Sequence, residues 1–168
     1  MKVFSRYLLI NALVFSLIAC TAKSDISPTA EPLSDDQLAL NTLVDFLENL
    51  HAGKYDEAAQ LYGGTYEIMI NHNPDIAPED HAALLRNACT INGAQCLQVK
   101  SAGLEEEISG TEFTFEIEFQ NADGSLFVRG SCCGGDETDF PSESIFLFTV
   151  SKSAEGKFLV MDMVPYMP

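Results

Sequence analysis

The stretch "EFTFEIEFQ", residues 112–120, alternates without a break. Phe113, Phe115, Ile117 and Phe119 fall on one side, and Glu112, Thr114, Glu116 and Glu118 on the other. A strict period of two over nine residues is a β-strand with one buried and one wet face. Strands of that kind belong to antiparallel sheets, because strands of parallel sheets are covered on both faces. Four large apolar side chains on one face also demand a second layer to bury them. The chain must therefore supply either a facing sheet or helices.

Helices come first in the sequence. Ser34-Asp35-Asp36-Gln37 fits a capping box, and Leu33 and Leu38 stand where a hydrophobic staple would place them. Leu40, Leu43, Val44, Leu47 and Leu50 then repeat at helical spacing, up to Gly53 as a left-handed cap. A second short helix, "KYDEAAQLY", carries Tyr55, Ala58, Ala59 and Tyr62 on one stripe and stops at Gly63-Gly64. "TYEIMINHNPDIA" reads as irregular with a strand-like start. A third helix is expected from about Pro78, with Glu79 and Asp80 in its first turn, to Cys89 before the Asn92-Gly93 turn.

After Gln95 the period changes from 3.6 to 2. "CLQVKSAGLEEEIS" supplies a strand bent or bulged at Gly103. "ADG" turns the chain into "SLFVRGS", a hairpin signal. "SIFLFTVS" and "KFLVMDMVP", joined by "KSAEG", are apolar on both faces and read as central strands. Helices followed by a run of strands predict an α+β fold over residues 36–168. N-terminal helices would lie on one face of a curved antiparallel sheet of about five strands.

The first twenty residues are of another kind. "MKVFSR" is basic and "YLLINALVFSLIA" is apolar, the length of a signal-peptide core but short of the roughly 20 residues that span a bilayer. Leu17-Ile18-Ala19-Cys20 resembles the lipobox of bacterial lipoproteins. That resemblance implies that residues 1–19 are a cleaved signal peptide and that the Cys20 sulfur carries a diacylglyceryl group. It places the protein on the bacterial cell envelope, facing away from the cytoplasm, with the membrane as a partner through the lipid anchor. Residues 20–35, with Pro28 and Pro32 among Ser, Thr, Ala and Asp, have no apolar periodicity and read as a flexible tether. The net charge of −16 becomes −18 without Lys2 and Arg6, which argues against nucleic acid as a partner.

Export gives the remaining cysteines, Cys89, Cys96, Cys132 and Cys133, a structural reading as disulfides. Three pairings exist for four thiols. Joining Cys89 to Cys96 would leave the adjacent Cys132 and Cys133 to each other, so cross-pairing of Cys89 and Cys96 with the "SCCGG" turn is favoured. Such bridges would sit away from any ligand pocket. The C-x-x-C spacing of a redox pair is missing.

The helix–helix connection "HAGKYDEAAQLYGG", a third helix and a meander of strands together resemble the nuclear transport factor 2-like, or cystatin-like, superfamily. The resemblance implies a cone-shaped fold with a pocket between sheet and helices. That cone serves ketosteroid isomerases and polyketide cyclases as well as non-catalytic binding modules, so fold does not select a function. Asp162, in "FLVMDMV" on the face of Phe158 and Val160, is the pocket candidate. His51, His72 and His81 lack a paired acid at motif spacing and read as structural or solvated. Arg129 reads as a cross-strand ion-pair partner. No catalytic residue is assigned. Neither the cysteine spacing nor "NADGS" and "DETD" fits a zinc or calcium pattern, and no phosphate-binding glycine loop is present, so no metal or cofactor is expected. The expectation is a lipid-anchored envelope protein whose non-catalytic domain binds a small molecule or an envelope protein. The alternatives are a structural or interaction lipoprotein without ligand, and an envelope enzyme of isomerase or cyclase type.

Overall fold

A computed structural model describes residues 32–130, 138 and 141–167. The leader, Cys20, most of the tether, Cys132 and Cys133 lie outside the described residues.

The first helix, α1, spans Asp35–His51. Ser34 donates its backbone N–H to Gln37 Oε1 at 3.1 Å, one half of the capping box. The buried stripe is Ala39, Leu43, Phe46, Leu47 and Leu50, displaced from the expected one toward Phe46. Leu33 and Leu38 are both exposed, so no buried staple forms. Gly53 has φ +72, the left-handed conformation expected past a helix end. Then follow α2 (Tyr55–Ala59), α3 (Glu67–His72) and α4 (His81–Thr90). Helix α3 occupies the segment that reads as irregular in sequence. Helix α4 begins later than Pro78, because Asp80 serves as its cap and accepts from Ala83 N at 3.1 Å.

Four strands follow: β1 (Gln98–Ser109), β2 (Glu112–Gln120), β3 (Phe146–Lys152) and β4 (Phe158–Val160). They pair antiparallel in the order β1-β2-β3-β4. The fold is α+β. Strand β2 alternates as its sequence demands, with Phe113, Phe115, Ile117 and Phe119 buried. In β1 the register shifts fall between Val99 and Ser101, Leu104 and Glu106, and Glu107 and Ser109. Gly103 itself stays in register with Glu116. The outer edge of β1 pairs with no other strand among the described residues, and its second half, including Glu105, Glu106 and Glu107, is exposed.

The sheet has four strands among the described residues, not about five. "SLFVRGS" contributes only the bridges Gln120↔Leu126 and Arg129↔Glu143. Its role is to deliver Phe127, which is buried and stacks on Phe146 at 5.9 Å. Nor are the last two strands covered on both faces. Leu147 of β3 is 59% exposed, and β4 is an edge strand of three residues.

Phenylalanines fill the space between α1 and the sheet. Phe46, Phe113, Phe115, Phe119 and Phe148 are all essentially inaccessible to solvent. Phe119 meets Phe146 at 5.7 Å and Phe148 at 6.2 Å between ring centroids. Each buried ring contributes roughly 1.5–3 kcal/mol. Lys152 Nζ reaches Asp35 Oδ2 at 2.7 Å and ties the end of β3 to the start of α1.

Cys89 and Cys96 form a disulfide with Cα atoms 5.5 Å apart, which corrects the expected cross-pairing of these two residues with the "SCCGG" turn. The reason is local. Ile91 and Asn92 both donate to Asn87 O, and Ala94 N donates to Ala88 O at 3.0 Å. The chain therefore doubles back on the end of α4 and brings Cys96 to Cys89.

Candidate functional site

A cavity of about 410 Å³ opens where α3, the end of α4 and the chain after β4 converge. Its construction begins at the α2–α3 connection. Val160 N donates to Leu61 O and Gly63 N to Val160 O, both at 2.8 Å, so this connection lies directly along β4. Only glycine fits next. A Cβ on Gly64 would lie 2.4 Å from Met161 O and from Tyr62 Oη. This close approach sets Tyr62 and Thr65 beside Met161 at one wall.

The second wall comes from α3, through Ile68, Met69 and His72, and from Ala88 of α4. Asn92 and Ala94, within the disulfide-closed loop, continue it. Met161, Asp162, Met163, Val164 and Tyr166 complete the enclosure. Three of the five methionines in the chain therefore line one cavity. Unbranched thioether side chains adapt to irregular apolar ligands.

A buried amide network holds α3 to α4 beside this cavity. Asn73, 7% exposed, donates to Met69 O at 2.7 Å and to Asn92 Oδ1 at 2.9 Å. Asn87 donates to Asn73 Oδ1 at 2.8 Å. The first of these bonds caps α3 on itself, and the other two tie the end of α3 to α4 and to the loop that follows it.

Asp162 stands at the point where the chain leaves the sheet. Its backbone predecessor Met161 still donates to Thr149 O at 2.9 Å. The Asp162 side chain then takes over the ladder, with Oδ2 accepting from Thr149 N at 2.7 Å. The carboxylate is half-buried and lines the cavity. Its neighbour Tyr62 has its phenol pushed up to about 12, chiefly by burial and secondarily by the Asp162 charge. Tyr66 is also raised to about 12, by burial and then by Tyr62. The Tyr66 ring stacks on His81 at 3.9 Å, and its buried hydroxyl has no hydrogen-bond partner.

Asp162 and His72 thus share the cavity wall, but no hydrogen bond joins them. His51 lies away from it, with Nδ1 3.1 Å from Cys96 O. Arg129 pairs with Glu143 across the β-bridge that these two residues form, both partly exposed. Among the described residues no group of three or more His, Cys, Asp or Glu side chains is placed to hold a metal. Nor is any described helix long and apolar enough to cross a membrane. Tyr62, Met69, Met161, Met163 and Tyr166 were not singled out for the site by sequence, although "MDM" around Asp162 was its one local signal. Comparison with known proteins finds no family model and no curated protein that matches this chain.

Proposed function

We propose that this chain is a lipid-anchored protein of the bacterial cell envelope whose domain, a nuclear transport factor 2-like cone, is a non-catalytic binding module. The leader ending in Leu17-Ile18-Ala19-Cys20 supports the anchor, and the proline-bearing segment up to residue 35 supports a tether to the membrane surface. Helix α1 laid across an antiparallel meander supports the cone. The observation that carries the binding role is the cavity: about 410 Å³, apolar for most of its lining, and within the size range of small-molecule sites. A binding role also fits the polar groups better than acid–base catalysis does, since one Asp162 oxygen is held by Thr149 N and no hydrogen bond links Asp162 to His72.

The test is titration of the purified full chain with an environment-sensitive apolar dye. A saturable response, weakened by Ala94→Phe in the cavity wall, is expected. Absence of a saturable response would favour the second reading, an interaction protein without ligand, which the phenylalanine-filled space under α1 independently favours. For the anchor, mass spectrometry of the chain from envelopes should find a lipid-modified Cys20 at the N-terminus. An intact Met1 or a free Cys20 thiol would overturn it.

A further inference from the structure

A carboxylate that lines an apolar cavity needs a counter-charge or enough water, and Asp162 forms no ion pair among the described residues. Among the described residues its only hydrogen bond is the one that Oδ2 accepts from Thr149 N, and no lysine, arginine or histidine forms an ion pair with it. The cavity lining includes neither lysine nor arginine. The whole chain carries −16. Anionic apolar molecules such as fatty acids would therefore enter against a charge of their own sign, with the His72 imidazole as the single basic side chain in the lining and no lysine or arginine to receive them.

The rest of the cavity is built for an apolar body. Met69, Met161 and Met163 supply adaptable contacts, and Val164 and Ala88 are buried behind them. Of the lining residues, Ile68 is 67% exposed and Tyr166 is 48% exposed, so an aromatic side chain is partly open to solvent at the cavity. Aromatic faces attract organic cations.

From the unpaired Asp162 carboxylate within this apolar, lysine- and arginine-free cavity, we infer that the site selects an apolar organic cation: a small lipophilic amine with its ammonium at Asp162. The inference rests on the binding-module reading above and assigns its ligand class. Asp162 acts there as the specificity-determining residue. Its Oδ2 accepts from Thr149 N, and the one cationic side chain of the neighbouring groove that Asp162 also lines, Arg129, is paired with Glu143.

Three probes with one apolar cage and different head groups test it: aminoadamantane, adamantanol and adamantanecarboxylate. The purified full chain would carry isotope-labelled methionine methyl groups, so that signals of Met69, Met161 and Met163 report occupancy directly. The amine should bind about tenfold or more tighter than the alcohol, and the carboxylate weakest of the three. Asp162→Asn keeps an oxygen for Thr149 N and should reduce the amine to the level of the alcohol. A second variant, Ile68→Lys, sits at an exposed position and should favour the carboxylate over the amine. Equal binding of all three probes, or an amine preference that survives Asp162→Asn, would overturn the charge selectivity while leaving a binding cavity. No saturable methionine shift with any probe would overturn the binding module itself, and this inference with it.

Discussion

Cys96 is bonded to Cys89 only seven positions away, and the loop they close carries Asn92 and Ala94 of the cavity wall. The bridge therefore bears on the site, which corrects the expectation that disulfides would sit apart from it. A loop this short contributes about 2.5 kcal/mol by restricting the unfolded chain. Replacing both Cys89 and Cys96 by alanine should lower stability by about that amount in urea unfolding and also weaken dye binding. Unchanged binding in a folded double variant would show that the loop holds its shape without the bridge.

Asn73→Ala should cost about 1–3 kcal/mol, because it removes two donated bonds and leaves the Asn87 amide without its acceptor. Asn121→Ala, in an exposed turn, removes hydrogen bonds that water can replace and should cost less. Chemical denaturation of the two variants side by side checks the order.

Tyr62 and Tyr66 make stability depend on alkaline pH. Both phenols titrate near 12 in the folded protein and near 10 when unfolded. The folded state thus holds these protons more tightly, so their contribution is complete below about pH 10 and disappears as pH rises through about 12. Phenolate absorbance should show two late tyrosines, and unfolding curves should lose stability across that window. Tyr66→Phe removes the unpartnered buried hydroxyl, so it should be neutral or stabilising and abolish one late transition.

Gly64→Ala should destabilise by about 1–3 kcal/mol, since its Cβ would meet Met161 O and Tyr62 Oη at 2.4 Å. Gly103→Ala meets nothing within 4 Å and should change stability by less than about 0.5 kcal/mol. Thermal melts of the two variants test whether the α2–α3 connection is as tightly seated on β4 as these distances require.

The elements legible in the sequence are those whose pattern repeats. Strand β2 matches its nine alternating residues, and α1 begins at its capping signal. Helix α3 escaped notice because six residues hold too few turns for a period to show, and only Met69 among them is buried. So short a helix owes its existence to tertiary contacts. "SLFVRGS" looked like a strand because its apolar residues resemble one, yet only Phe127 is needed in the core while Leu126 and Val128 face solvent. Apolar residues in "KFLVMDMV" suggested a long central strand. Most of that segment instead leaves the sheet to line the cavity, which is why Asp162 was identifiable and its surroundings were not. The cavity is lined by three separate stretches of chain, 62–72, 88–94 and 161–166, and no local pattern relates them.

The edge of β1, which pairs with no other strand among the described residues, has a consequence for the protein in the company of its own copies. A strand edge without a neighbouring strand among the described residues is a template for intermolecular pairing, and here its second half is guarded by Glu105, Glu106 and Glu107 on a strongly anionic chain. That guard is electrostatic and reversible. Near the isoelectric point of about 4.2 the repulsion between molecules vanishes, and exposed Leu104 and Ile108 on the same strand are left to meet their counterparts. Colloidal stability is thus a function of acidity: dispersed copies near neutrality, and edge-to-edge association as the medium turns acid.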